Sequence, residues 1–191
     1  MKKIFLILIL FSVSIIDANA EISRIISGNK NAKITIIAYE SLTCSHCADF
    51  HKNVYPQLKI DYIDTGLVKI EFRHFPLDIA AFNASKITQC KQDESLEILE
   101  SLYLNQQDWI KGSTIDEINN NLKNFIKKEG FDINFEKCIN NKEIEDFVLN
   151  DRIEGSKNFD INATPTIIIN NKKFEKSLNY KNLKKSLEKL I

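Results

Sequence analysis

Ile34-Thr35-Ile36-Ile37-Ala38-Tyr39 leads, after four intervening residues, into Cys44-Ser45-His46-Cys47, and Ala48-Asp49-Phe50-His51 follows directly. The first six residues are an apolar run of β-formers, the pattern of a central strand covered on both faces. From Ser45 the apolar positions recur at helical spacing through Phe50, Val54, Leu58 and Tyr62. A strand that delivers a C-x-x-C to the start of a helix predicts a dithiol that cycles with a disulfide. Cysteines three apart on a first helical turn face the same way, so one can attack and the other can resolve the mixed disulfide. Cys44 falls where unpaired N–H groups and the helix dipole favour negative charge. Cys47, one turn in, is expected deeper. His46 as imidazolium would further favour the Cys44 thiolate, and a stabilised thiolate makes the disulfide a stronger oxidant.

The N-terminus reads as a secretory signal over residues 1–20. Lys2-Lys3 precede an apolar stretch from Ile4 to Ile16, and Ala18-Asn19-Ala20 forms an A-x-A cleavage site before Glu21. This stretch of thirteen residues falls short of the roughly 20 that span a bilayer. No cysteine lies near the cleavage site, which disfavours a lipoprotein. Cleavage would leave 171 residues with 24 basic and 25 acidic side chains, net −1, so no charge excess draws the chain to nucleic acid. Export implies an oxidising compartment, and four cysteines there allow three disulfide connectivities.

Taken in order, Glu21 to Ile26 is a short leading strand ended by the turn formers Gly28-Asn29-Lys30-Asn31. Pro56 is placed to kink or break the helix after the cysteines, and Gly66 ends it. Val68 to Phe75 alternates as a strand up to Pro76. Asp78–Gln92, Ser95–Asn105, Thr114–Glu129 and Lys142–Phe159 all show helical spacing, with a turn-rich piece, Phe131–Asn141, before the last. Thr114-Ile115-Asp116-Glu117 is a capping box, and Gly130 is a C′ residue. Strand character resumes at Thr164 to Ile169. Asn170-Asn171 suits a hairpin turn, Lys173-Phe174 starts a return strand, and Tyr180–Leu190 closes as a helix. The fold class is α/β, with residues 78–159 a helical insertion between two sheet segments, 21–77 and 160–191.

Thr164-Pro165 reads alone either as an edge-strand proline or as a cis-proline loop that pairs with a substrate peptide. The redox motif upstream favours the second. Once Cys44 and Cys47 pair locally, Cys90 with Cys138 is the parsimonious structural bridge; two buried free thiols are the bland alternative. Half of a zinc site is the metal reading of C-x-x-C, but Cys90 and Cys138 stand apart in sequence, and no metal or other cofactor is expected. A haem attachment needs His where Ala48 stands. His51 and His74 read as hydrogen-bonded packing residues before site residues, and Tyr103 and Trp109 as insert core.

Together with Phe50-His51 and Arg73-His74-Phe75-Pro76-Leu77-Asp78, these features resemble the DsbA-like thiol:disulfide oxidoreductases of the bacterial periplasm. The resemblance covers essentially the whole chain after the signal. It implies a thioredoxin-like fold with an α-helical insertion and oxidation of unfolded or partly folded exported proteins bearing free cysteines. Reoxidation would come from a DsbB-type, quinone-linked membrane partner. It carries over Cys44 as nucleophile, Cys47 as resolving thiol and Pro165 as the cis-proline. Ser45 departs from the common Cys-Pro-His-Cys. Ala38 stands where many members have an acid, and Glu40, two residues on and on the same strand face, is the candidate to tune Cys47 or relay its proton. The competing readings are an isomerase or reductase with the same site kept reduced, and a peptide-binding chaperone module. The short lead from Glu21 has no room for the extra domain through which isomerases dimerise, so a monomer is expected.

Overall fold

A computed structural model describes residues 22–91 and 95–191, and the expected signal segment lies outside the described residues. Five strands form one mixed sheet: β1 (Ile25–Ser27), β2 (Ile34–Glu40), β3 (Val68–His74), β4 (Thr166–Ile169) and β5 (Lys172–Lys173), in the order β1-β3-β2-β4-β5. β2 is central, parallel to β3 and antiparallel to β4. The leading strand starts later than the sequence suggests and pairs Ile25 with Phe72. Both edges are short, and β5 consists of two exposed lysines, which blunts it against further pairing.

Strand alternation sorts the side chains. Ile34, Ile36, Ala38, Val68, Ile70, Phe72, Ile167 and Ile169 share one core with α1 (Ser45–Asn53), α2 (Tyr55–Leu58) and α9 (Tyr180–Leu187). Ile37, Tyr39 and Ile168 face the other way with Phe75 and Ile161. That second face is covered by α8 (Lys142–Phe159), whose Gly155 allows very close approach: a Cβ there would sit 2.8 Å from the Tyr39 ring. Arg24 and Arg73 bridge Glu71 on β3 to Glu154 on α8, and Arg24 also pairs with the buried Asp151.

Among the described residues, the chain passes from β3 to β4 through six helices: α3 (Ile79–Thr88), α4 (Ser95–Leu104), α5 (Gln106–Trp109), α6 (Ile115–Lys128), α7 (Phe135–Ile139) and α8. The Asp78, Thr114, Asn134 and Asn141 side chains cap the starts of α3, α6, α7 and α8. The Thr114 hydroxyl accepts from Glu117 N, and Asn141 accepts from Glu143 N and Ile144 N. The capping box is modified, because the Glu117 carboxylate accepts from Ser113 N and not from Thr114 N. Gly130, at φ +81, closes α6 with Gly130 N donating to Lys127 O and Phe131 N to Ile126 O, the two bonds of a Schellman end.

Three local expectations change. The helix after the cysteines breaks at Val54 into α2 and a π-helical turn, Lys59–Ile63, because Pro56 offers no N–H and takes the first turn of a new helix. The turn-rich piece around Cys138 contains α7, capped by the Asn134 side chain, which accepts from Lys137 N. The hairpin turn falls where expected, with Asn170 and Asn171 at φ 45 and 65, but the return strand β5 opens one residue earlier, at Lys172, and leaves out Phe174. Cys90, just past α3, and Cys138, on α7, form a disulfide with Cα atoms 5.5 Å apart. Among the described residues no helix is long and apolar enough to cross a membrane.

Candidate active site

β2 ends at Glu40, and three loop residues carry the chain to Cys44, the N-cap of α1. The Cys44 carbonyl accepts from Cys47 N at 3.1 Å and Ala48 N at 3.2 Å, so the first turn begins at the nucleophile position itself. The loop is clamped from the helical insertion. Gln106 Nε2 donates to Leu42 O at 2.8 Å and to Cys44 O at 3.1 Å, and the Thr43 hydroxyl donates to Asp78 Oδ2 at 2.7 Å. Leu77 N donates to Ser41 Oγ at 3.3 Å. Gln106 is a positioning residue that sequence reasoning missed. A buried glutamine more than sixty residues on carries no local signal of what it holds.

Cys44 and Cys47 are free thiols with different surroundings. Cys44 is half-buried, and Cys47 is fully buried. The hydrogen bond from Cys47 and those from Thr164 and the backbone N–H groups of Cys47 and His46, working against partial burial, bring the Cys44 thiol down to about 5. Burial pushes the Cys47 thiol far upward, reinforced by its bond to Cys44 and the negative charge of Glu40. Proximity of two thiols thus becomes a division of labour: one ionises and the other keeps its proton. The His46 imidazole is exposed, and its backbone N–H is the part of the residue that touches the thiolate's stabilisation.

Across from α1 the Thr164–Pro165 peptide bond is cis, and the Cys44 thiol donates to Thr164 O at 3.3 Å. The Thr164 hydroxyl is buried beside it, placed to donate to the Cys44 sulfur once that is a thiolate. A groove of about 260 Å³ runs along this junction, lined by His46, Asp49, Phe50, Val54, Thr164, Pro165 and Leu178.

Beneath the dithiol, Glu40 is 3% exposed. Its Oε2 meets His51 Nε2 at 2.8 Å, and the His51 ring stacks on Tyr103 with centroids 4.2 Å apart. Glu40 Oε1 and His51 Nδ1 have no hydrogen-bond partner among the described residues. Tyr103, expected only as insert core, also has its hydroxyl close enough to Glu40 for that carboxylate to contribute to raising its pKa, after burial. His74 packs elsewhere. It meets Gln89 Nε2 at 2.9 Å, and complete burial lowers it to about 3, so it stays neutral.

Comparison with known proteins agrees with this geometry. The family model described as Thioredoxin matches residues 20–189. A protein-disulfide oxidoreductase of Rickettsia bellii is 39% identical over 82 residues, 42% of this chain and 32% of that protein. The chain thus matches only about a third of that relative's length. Disulfide bond formation protein D of Bacillus subtilis is 25% identical over 172 residues, 85% of this chain and 74% of that protein. The crystal structure of Wolbachia pipientis alpha-DsbA1 superposes with a TM-score of 0.78 and 30% identity, covering 87% of this chain and 90% of that one. A mixed sheet with a helical insertion, a cysteine pair at a strand-to-helix junction and near-complete correspondence to a DsbA structure place the chain in the thioredoxin family, among its DsbA-like thiol:disulfide oxidoreductases.

Proposed function

We propose that this protein oxidises dithiols of unfolded or partly folded exported proteins with a Cys44–Cys47 disulfide, in the periplasm, after residues 1–20 are removed as a signal. The carrying observation is the asymmetry of the pair: Cys44 brought down to about 5 while Cys47 is pushed up. A reduced form that rests as a stabilised thiolate is a poor reductant, so its disulfide is a ready oxidant.

A substrate thiolate attacks Cys44 Sγ, the exposed sulfur. The Cys44–Cys47 bond breaks, and its electron pair leaves on Cys47. Buried Cys47 cannot rest as an anion, so it takes a proton, and the Glu40–His51 pair beneath it is the proposed relay. A second substrate thiolate attacks the mixed disulfide, closing the substrate's own disulfide and releasing Cys44 as its stabilised thiolate. Two electrons pass to the enzyme. The cis Thr164–Pro165 edge of the groove aligns the substrate backbone, and His46 lines the same groove while its backbone N–H helps hold the Cys44 thiolate. A DsbB-type membrane partner would remove the electrons, and the protein would act as a monomer.

Equilibration of the Cys44–Cys47 couple with glutathione, alongside oxidation of reduced ribonuclease and recovery of scrambled ribonuclease, tests the reading. An oxidising couple that forms ribonuclease disulfides faster than it reshuffles them supports an oxidase. A reducing couple that recovers only the scrambled substrate assigns the site to isomerisation. Function retained in Cys44→Ser would leave a peptide-binding role.

A further inference from the structure

The near-zero net charge hides a segregation. Residues 170–191 hold seven lysines and two glutamates, +5, against −5 over residues 1–169. All seven lysines are exposed. Four of them, Lys172, Lys173, Lys176 and Lys189, come from β5, the loop after it and the chain following α9, and converge on one crevice of about 560 Å³. Its apolar part is Ile169, Phe174 and Leu190, the last 50% exposed. Edge protection accounts for Lys172 and Lys173, which form the edge strand. It does not account for Lys176 and Lys189, which are off the strand, nor for an apolar floor inside the ring.

Strand register gives the position of this crevice. β2 pairs Tyr39 with Thr166 at the dithiol end and Ile36 with Ile169 at the far end, so the Asn170-Asn171 turn and the crevice lie at the pole of the sheet opposite Cys44. The cations are all lysine, since the last arginine is Arg152, and they outnumber the one acid that lines the crevice, Glu175, four to one. Flexible ammonium tips around an apolar patch are interfacial chemistry, because the stems lie along acyl chains while the tips reach headgroups. Bidentate guanidinium forks, which favour nucleic-acid or carboxylate recognition, are lacking.

We propose that the Lys172–Lys173–Lys176–Lys189 crevice docks reversibly on an anionic bilayer surface, a docked state that turns Cys44 outward toward substrates and from which the protein must release before a membrane partner can reach Cys44. The inference does not depend on the direction of disulfide exchange at Cys44.

Lysine acetylation footprinting of the full chain tests it, using phosphatidylcholine vesicles with and without phosphatidylglycerol. Anionic vesicles are expected to cut labelling of Lys172, Lys173, Lys176 and Lys189 by about tenfold and to leave Lys127 and Lys128 on α6 unchanged. Each lysine should contribute roughly fivefold to partitioning at an anionic surface, so K172Q/K173Q/K176Q/K189Q should lose anionic selectivity by on the order of 600-fold. Salt should weaken the protection within the range where the Debye length shrinks. Equal labelling on neutral and anionic vesicles overturns the proposal. Equal protection by soluble polyglutamate overturns it in favour of an acidic protein partner. Disulfide exchange with a soluble peptide should be unchanged in the fourfold variant, which separates a failure here from a failure at the dithiol.

Discussion

Titration of the dithiol gives the sharpest test of the site. Cys44 is lowered from an ordinary 9.0 to about 5 in the folded, reduced protein. A folded pKa below the unfolded one adds stability that is complete above the unfolded value and is lost as pH falls through the folded value. At pH 7 the contribution spans about two pH units, or about 2.7 kcal/mol before screening, and the half-buried position of Cys44 discounts this to about 1–2 kcal/mol. Urea unfolding of the reduced and oxidised forms should show the reduced form losing that increment between pH 7 and pH 4, with no matching loss in the oxidised form. The same ionisation sets the pH slope of the redox couple. Between about pH 5 and 9 reduction takes up one proton per two electrons, because Cys44 stays ionised and Cys47 stays protonated; the potential should fall by about 30 mV per pH unit. Below pH 5 both thiols take protons, and the slope should steepen to about 59 mV per unit. A slope near 59 mV per unit all the way to pH 8, measured against a buffer of known potential, would refute the low Cys44 pKa and with it the argument for an oxidant.

Three substitutions probe the scaffold around that site. Gln106→Leu leaves the Leu42 carbonyl without its donor in a buried setting, so unfolding should come easier by about 1–3 kcal/mol, and alkylation kinetics of Cys44 should show a changed thiolate; wild-type kinetics would mean the clamp is idle. Gly155→Ala should destabilise in urea by about 1 kcal/mol or more through overpacking against Tyr39, where an open helix would gain about 1 kcal/mol from the same change; a stabilised variant would show that the ring gives way. Cys90→Ser with Cys138→Ser opens a loop of 48 residues and should cost about 4 kcal/mol in the chain-entropy model; a shift under about 1 kcal/mol would show that the unfolded chain is already compact there.

What could be read from sequence followed range. The paired asparagines at 170–171, the Thr114 cap, the Gly130 stop and the extent of α8 are decided within a few residues, and sequence located them closely. The strand-to-helix setting of Cys44 and Cys47 is likewise local, and a two-residue period fixed the face that Glu40 takes. Pro56 announced a break but not the π-helical turn after it, because how the backbone recovers depends on the packing of Tyr62 and Ile63. α7 was hidden in turn-forming residues because its support comes from Phe135 and Cys138 entering a core assembled elsewhere. The contacts that tune the site are long-range. Gln106 reaches Cys44 from 62 residues away and Glu40 finds His51 across a strand–helix interface, and neither follows from spacing. Side-chain identity suggested that the His46 imidazole favours the thiolate, whereas the folded first turn also supplies its backbone N–H.

The Thr164 side chain, one of the groups that hold the Cys44 thiolate, lies 120 residues further along the chain. A ribosome therefore releases both thiols long before it makes the cis-proline edge that completes their surroundings. Until Thr164 arrives and β4 joins β2, Cys44 lacks one of the groups that hold its thiolate and remains closer to an ordinary cysteine. Part of its acidity is thus a property of the finished sheet, so an emerging chain carries a dithiol that reaches its full acidity only when its last fifth is folded into place.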